Sequence, residues 1–122
     1  MEIYGIRIFV DDVERAKEFY SKKIGFKIDS IGPGFVMFNA GAAKLMIEAV
    51  SEEESKEHKN LIGRFTGISL SVGDIKSQYQ NLVSQGVQFS GEPERQYWGG
   101  WLATFLDPAG NELQLVQQPA VQ

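Results

Sequence analysis

The chain nearly repeats itself at half its length. The segment Ile6-Arg7-Ile8-Phe9-Val10-Asp11-Asp12-Val13 resembles Ile68-Ser69-Leu70-Ser71-Val72-Gly73-Asp74-Ile75, and each copy is an alternating apolar strand followed by an aspartate and a helical stretch. Half of a 122-residue chain is too small to bury a stable core alone, so we expect the two halves to pair. Two curved half-sheets that face each other would enclose a cleft, and we expect the functional site there.

The amino-acid composition excludes several classes of binding partner and of chemistry. The net charge of −4 gives no basic footprint for nucleic acid or for an anionic membrane. Cysteine is absent, which excludes disulfides, thiolate metal sites and cysteine nucleophiles and favours the cytoplasm. No apolar run reaches membrane-spanning length, and the N-terminal residues are typical of a strand rather than of a signal peptide. We expect a cytoplasmic protein that binds neither nucleic acid nor membrane.

Periodicity predicts the order strand, helix, strand, strand, strand, twice. In the first half the predicted strands are 3–10, 26–31, 35–38 and 44–50, with a helix that begins at Asp11 or Asp12 and ends at Gly25. In the second half they are 66–72, 87–89, 101–106 and 112–116, with a helix over 74–85. The predicted organisation is one domain over 1–122, with module one at about 1–50, a solvated linker at about 51–64 and module two at about 65–118. The linker has room for one helical turn.

Alternation along the strands predicts which side chains face the cleft. Ile6, Ile8 and Val10 are predicted in the core, as are Ile75, Tyr79, Leu82 and Val83 of the second helix. The opposite parity places Gly5, Arg7 and Phe9, together with Met46 and Glu48, toward the cleft. A buried carboxylate needs a partner, and Arg7 is the best candidate for Glu48. Two alternatives stay open: Glu48 binds a ligand or catalyses, or Arg7 presents its guanidinium to an anionic ligand.

The segment Gln96-Tyr97-Trp98-Gly99-Gly100-Trp101 combines three aromatic residues with two glycines. Two interpretations remain open: Trp98 and Trp101 close the end of the core, or the loop stacks on a ligand. Phe35 and Phe38 are candidates for the opposite wall. Small polar groups would complete the lining: Ser69, Ser71, Thr104 and Gln114.

A set of motifs in a fixed order resembles one superfamily. They are Val10-x-Asp12, Glu18-Phe19-Tyr20, Gly25-Phe26, Val72-x-Asp74-Ile75, Gly86-Val87, Trp98-Gly99 and Asp107-Pro108-x-Gly110-Asn111-x-Leu113-x-Leu115. Together they resemble the vicinal oxygen chelate superfamily, which includes glyoxalase I, the extradiol dioxygenases and the fosfomycin- and bleomycin-resistance proteins. The resemblance implies an α+β fold of two paired βαβββ modules, whose curved mixed sheet surrounds a cleft.

The resemblance also implies four metal-ligand positions, on the first and last strand of each module. In this chain they fall at Gly5, Glu48, Gly67 and Gln114. Glycine has no donor atom, and one carboxylate with one amide makes a poor site for Zn²⁺, Fe²⁺ or Mn²⁺. We therefore expect no metal and no cofactor. The missing side chains would also leave room for a larger ligand.

The leading functional hypothesis is metal-independent binding of a small, partly apolar molecule, similar to the bleomycin-resistance branch, for sequestration or sensing. The predicted ligand-binding residues are Arg7, Phe9, Phe38, Met46, Glu48, Ser69, Trp98, Trp101 and Gln114. The alternative is a lyase, isomerase or dioxygenase of the same superfamily with Glu48 as acid or base. A purely structural partner protein ranks third. We expect a homodimer, because an uncovered strand edge and an open cleft would otherwise stay exposed.

Overall fold

The computed structural model describes residues 1–120, which form two compact units of mixed α and β structure. Unit one comprises Met1–Arg64 together with Pro108–Asn111, and unit two comprises Phe65–Asp107 with the described residues from Glu112 onward. The predicted α+β class is confirmed. Within residues 1–120, none of the helices combines the length and the apolar character that crossing a membrane requires.

Unit one contains one mixed sheet. Its elements are β1 (Gly5–Val10), α1 (Val13–Glu18), a π-helical turn (Phe19–Ile24), β2 (Lys27–Gly32), β3 (Phe35–Ala40), β4 (Ala43–Ala49) and α2 (Glu52–Glu57). The strand order is β1-β4-β3-β2, with β1 parallel to β4 and the other neighbours antiparallel. The helix α2 lies where a linker was predicted, and a capping box starts it, because Ser51 and Glu54 each bond the other's backbone N–H.

Unit two repeats this topology. Its elements are β5 (Phe65–Ser71), α3 (Ile75–Ser84), β6 (Gln88–Phe89), β7 (Glu94–Arg95), β8 (Trp101–Leu106) and β9 (Glu112–Gln117). The strand order is β5-β9-β8-β6, and the short β7 also pairs with β8. The first and last strands are again parallel. The internal sequence repeat is therefore a repeat of strand order.

The repeated aspartates perform the same task in both units. Asp12 accepts a hydrogen bond from the Arg15 backbone N–H at 3.1 Å, and Asp74 accepts one from the Ser77 N–H at 3.2 Å. Each bond satisfies an N–H that the first turn of a helix would leave unpaired. Both helices are thus started by the residue type that the repeat preserves.

Each unit buries the helix-covered side of its sheet. In unit one this side carries Ile8, Val10, Val36, Phe38, Leu45 and Ile47, and in unit two it carries Ala103, Phe105, Leu113 and Leu115. The π-helical turn brings both Phe19 and Tyr20 into the core, and the Tyr20 ring centroid lies 6.1 Å from that of Phe38. Aromatic packing therefore dominates the core of unit one.

Two predicted core residues are exposed. Ile6 is 41% exposed, because β1 has a strand neighbour on one side only among the described residues. Val83 is 45% exposed because the adjacent Leu82 occupies the buried side of α3, and a helix turns about 100° per residue. The core prediction was wrong at both positions.

Candidate functional site

The sheet of unit one has a second face, on the side away from α1. Register places three rows of side chains on it: Gly5, Lys44 and Asn39; Arg7, Met46 and Met37; and Phe9, Glu48 and Phe35. We call this the open face of sheet one. It carries the charged side chains of Arg7, Lys44 and Glu48 and the apolar side chains of two methionines and two phenylalanines, so it offers both apolar contact and charge.

The predicted ion pair between Arg7 and Glu48 is present on this face. Arg7 Nη2 donates to Glu48 Oε2 at 2.7 Å, and the Arg7 guanidinium carbon lies 5.0 Å from the centroid of the Phe9 ring. The pair is less buried than the sequence predicted, with side-chain exposures of 58% for Arg7 and 28% for Glu48. Solvent therefore screens the attraction, and we assign the pair about 0.2–1 kcal/mol of stability.

A second charged group on the same face is also paired. Lys44 Nζ lies 3.0 Å from Asp29 Oδ1 and donates to Asn39 Oδ1 at 2.7 Å. Among the residues that the structure describes, both cations of the three rows thus have a carboxylate partner.

A cavity of about 250 Å³ lies on the β1 side of this face. Its lining residues come from β1, from the two residues that precede it and from the middle row: Ile3, Tyr4, Gly5, Ile6, Arg7, Met37 and Met46. The sequence placed Met46 toward a ligand site, and the structure places it in this lining. Ile3, Tyr4 and Met37 were not identified. Alternation along β3 would have found Met37, because it pairs directly with Met46.

Phe38 does not lie on the open face. It is fully buried, pairs with Leu45 in the register, and contacts the rings of Tyr20 and Phe26 on the helix-covered side. Phe35 and Phe38 are three residues apart on one strand, so they necessarily point to opposite faces. The assignment of Phe38 to a ligand wall was therefore wrong. Phe35 is on the predicted side, and its ring lies against Gly32.

Three polar side chains lie on neighbouring strands of unit two. Gln114 pairs in register with Ser69 on one side and with Thr104 on the other, and Gln114 Nε2 donates to Thr104 Oγ1 at 3.3 Å. A cavity of about 290 Å³ lies beside Thr104 and Gln114. The rest of its lining is mostly polar: Ser90, Gly91, Glu92, Glu94, Gln96, Leu102 and Ala103. The sequence did not identify Glu92 or Glu94, because neither lies in a strand with a detectable period.

The two tryptophans have different surroundings. Trp101 shares its side of β8 with the buried Ala103 and Phe105, and the ammonium of Lys76 on α3 lies 4.6 Å from its ring centroid. It therefore packs on the helix-covered side, which agrees with the interpretation that Trp101 closes the end of the core. Trp98 is 37% exposed and its ring lies against Gly100. Trp98 is thus the more exposed of the two tryptophans.

The positions that correspond to metal ligands do not fit a metal ion. A side chain at Gly5 would bring its Cβ within 3.0 Å of the Lys44 carbonyl oxygen, and Gly67 has a φ of +76°. The Glu48 carboxylate is bonded to Arg7, and the Gln114 amide to Thr104. Residues 1–120 contain no group of three or more His, Cys, Asp or Glu side chains placed to hold a metal. Each unit offers one donor residue at these positions.

Comparison with known proteins places these observations in a family. Residues 3–115 match the model of the Glyoxalase/Bleomycin resistance protein/Dioxygenase superfamily. The uncharacterized protein YurT of Bacillus subtilis (strain 168) is 30% identical over 128 residues, covering 97% of this chain and 100% of YurT.

Two solved structures are similar over nearly the full length. A superfamily member from Sphaerobacter thermophilus DSM 20745 has a TM-score of 0.76 at 31% identity, over 97% of this chain and 98% of that one. TnmS3, an antibiotic binding protein from Streptomyces sp. CB03234, has a TM-score of 0.78 at 26% identity, over 98% and 97% of the two chains. The resemblance that the sequence motifs suggested is confirmed.

Proposed function

Because the chain belongs to the Glyoxalase/Bleomycin resistance protein/Dioxygenase superfamily, we propose that it binds a small, partly apolar molecule without the help of a metal ion. The observation that carries this proposal is the partner of Glu48. The carboxylate at a metal-ligand position of the family is held by Arg7 at 2.7 Å. The positively charged Arg7 guanidinium is therefore already bonded to the carboxylate that a metal ion would need.

The chemistry of the donor set supports metal independence. A divalent ion would have to replace Arg7 at Glu48, and glycine occupies the corresponding positions on β1 and β5. Three good donors are the minimum for a catalytic Zn²⁺ site. Neither sheet supplies more than one donor residue at these positions, so we expect no tight divalent-metal binding.

The surfaces of both units support small-molecule binding. The open face of sheet one presents methionines beside an arginine, and the cavity of unit two presents amide, hydroxyl and carboxylate groups. Apolar contact combined with a few orienting polar groups is the usual character of a ligand site. The similarity to TnmS3, an antibiotic binding protein, points in the same direction, and sequestration or sensing of such a molecule is the role we propose.

The composition supports the remaining part of the proposal. A net charge of −4 and the absence of cysteine favour a cytoplasmic protein whose partner is a small molecule rather than nucleic acid. The alternative is a lyase, isomerase or dioxygenase with Glu48 as acid or base. That activity would require Glu48 to react while it is bonded to Arg7.

The test combines elemental analysis with a ligand screen. The purified protein should contain well under one transition-metal ion per chain and should show no saturable heat with Zn²⁺, Mn²⁺ or Ni²⁺, whether wild type or Glu48→Gln. A panel of aromatic, glycopeptide-like and small acidic compounds should yield a binder that is recovered unchanged.

Two results would contradict the proposal. One is a stoichiometric metal whose binding is lost in Glu48→Gln. The other is turnover of a panel compound by the wild type and not by Glu48→Gln, which would establish the enzyme alternative.

A further inference from the structure

We propose that the cavity of unit one, bounded by Met37, Met46, Arg7, Ile3 and Tyr4, binds a planar aromatic group that carries an anionic substituent. We call it the methionine pocket. The inference rests on the proposed function and adds the chemical class of the ligand. Three observations carry it: the size of the pocket, its apolar surface, and the unused donors of Arg7.

The size of the methionine pocket limits what enters it. Its volume is about 250 Å³, whereas pockets that enclose whole drug-sized molecules measure roughly 300–1,000 Å³. The pocket therefore accommodates one or two fused rings. Gly5 contributes only backbone atoms to the lining.

The apolar surface favours a flat ring over a branched aliphatic group. Met37 and Met46 are paired neighbours on β3 and β4, and thioethers adapt to the outline of a ring and make favourable sulfur–aromatic contacts. Tyr4 is 75% exposed and brings a second flat surface to the same cavity. An aromatic ligand would remove this exposed phenol from water and stack against it.

Arg7 supplies the charge selectivity. A guanidinium has five N–H donors, and within residues 1–120 the hydrogen bond recorded for Arg7 is the one from Nη2 to Glu48. Phe9 lies under the guanidinium and helps to hold its plane. Arg7 lines the pocket, whereas Glu48 does not. A carboxylate or phenolate can accept charge-assisted hydrogen bonds from those donors.

The experiment uses three naphthalene probes that differ in charge. They are 2-naphthoate, the neutral 2-naphthamide and the cationic 2-naphthylmethylammonium. Binding is followed by NMR of ¹³C-methyl-labelled methionine, because the chain has three methionines and Met1 is an internal reference outside the pocket.

We expect 2-naphthoate to shift the Met37 and Met46 methyl signals saturably and to bind roughly tenfold more tightly than the other two probes. Arg7→Gln should remove this preference, and Arg15→Gln on α1 should retain it, because Arg15 is exposed in the same unit but does not line the pocket. Met46→Leu, which keeps the volume, should weaken all three probes by a similar factor of about two to three. Circular dichroism of each variant checks the fold.

Three results would overturn the inference. The cationic probe could bind best, the preference for 2-naphthoate could survive in Arg7→Gln, or all probes could fail to bind. Failure of the probes while the compound panel yields a ligand that changes Trp98 fluorescence would reject the methionine pocket and leave the proposed function standing. Failure of the probes and of the whole panel would reject both.

Discussion

A single side chain, Asn111, joins three separate segments of unit one. Its Oδ1 accepts hydrogen bonds from the backbone N–H groups of Gly63 at 2.9 Å and Arg64 at 3.2 Å, and its Nδ2 donates to the Phe9 carbonyl at 2.9 Å. The side chain is fully buried. The three bonds are partly buried, and a backbone group that loses its partner there costs about 1 kcal/mol, so this amide contributes to the stability of the fold.

Replacing Asn111 with alanine should lower the free energy of unfolding by about 2–4 kcal/mol, because two N–H groups and one carbonyl lose their partner. Urea denaturation measures the change. Asn81→Ala is the matched control, since Asn81 is exposed on α3, and should change stability by less than about 0.5 kcal/mol. Equal effects of the two substitutions would show that the three bonds do not stabilise the fold.

The Arg7–Glu48 pair should show weak coupling. A double-mutant cycle with Arg7→Met and Glu48→Gln should give an interaction energy of about 0.2–1 kcal/mol that decreases in roughly 1 M salt, because both side chains are reached by solvent. Chemical denaturation of the four proteins at two salt concentrations measures it. A coupling above about 3 kcal/mol, independent of salt, would indicate the buried pair that the sequence suggested.

The two residue-scale results differ in how far the sequence could predict them. The Arg7–Glu48 pair follows from alternation, because both residues occupy the same face of neighbouring strands. The bonds of Asn111 join residues up to 102 positions apart, and the local pattern Asp107-Pro108-x-Gly110-Asn111 indicates only a turn. No local period records which distant backbone groups a turn residue will bond.

At the scale of elements, strands and helices with a clear period were predicted, and those without one were missed. The caps at Asp12 and Asp74 follow from residue type. The two-residue strand β7 and the π-helical turn were not predicted, and α2 was foreseen only as a helical turn within the linker. Two residues carry no measurable period, α2 is strongly polar, and a π-helical turn differs from an α-helix only in its hydrogen-bond spacing. For Trp101 the sequence left two interpretations open, because its strand begins directly after a glycine loop.

The strand β5 contains a glycine whose backbone should resist substitution. Gly67 has a φ of +76° and lies where the pairing of β5 with β9 shifts register between Phe65 and Ser69. Gly67→Ala should destabilise the protein by about 1–2 kcal/mol, although its Cβ would meet no atom within 4 Å, because the left-handed region is unfavourable for alanine.

Gly73→Ala is the control for this prediction. Gly73 also has open space around its Cβ position but no positive φ, so its substitution should be neutral or slightly stabilising. Thermal unfolding of both variants, followed by circular dichroism, measures the difference. If both substitutions were equally neutral, the conformation of Gly67 would not disfavour a side chain at this position.

At the scale of the whole molecule, we expect self-association through the β2 edge of unit one. Among the described strands β2 pairs with β3 alone, and its Ile28 and Ile31 are exposed. An apolar strand edge of this kind is normally covered. Sedimentation should show a homodimer at micromolar concentration, and Ile31→Lys should shift the protein toward monomer. Val83→Lys, at another exposed apolar residue, should not, and a wild-type monomer would exclude the interface.

The division of the chain into units has a consequence for how the protein is made. Unit one consists mostly of residues 1–64, but it also includes residues 108–111, which lie near the end of the sequence. During synthesis, the backbone groups of Phe9, Gly63 and Arg64 must wait for Asn111 to leave the ribosome before they obtain its hydrogen bonds. Most of unit one therefore leaves the ribosome first, but the unit is complete only after Asn111 has been made. A nascent chain that stalls before residue 108 exposes an incompletely folded unit one to chaperones and proteases.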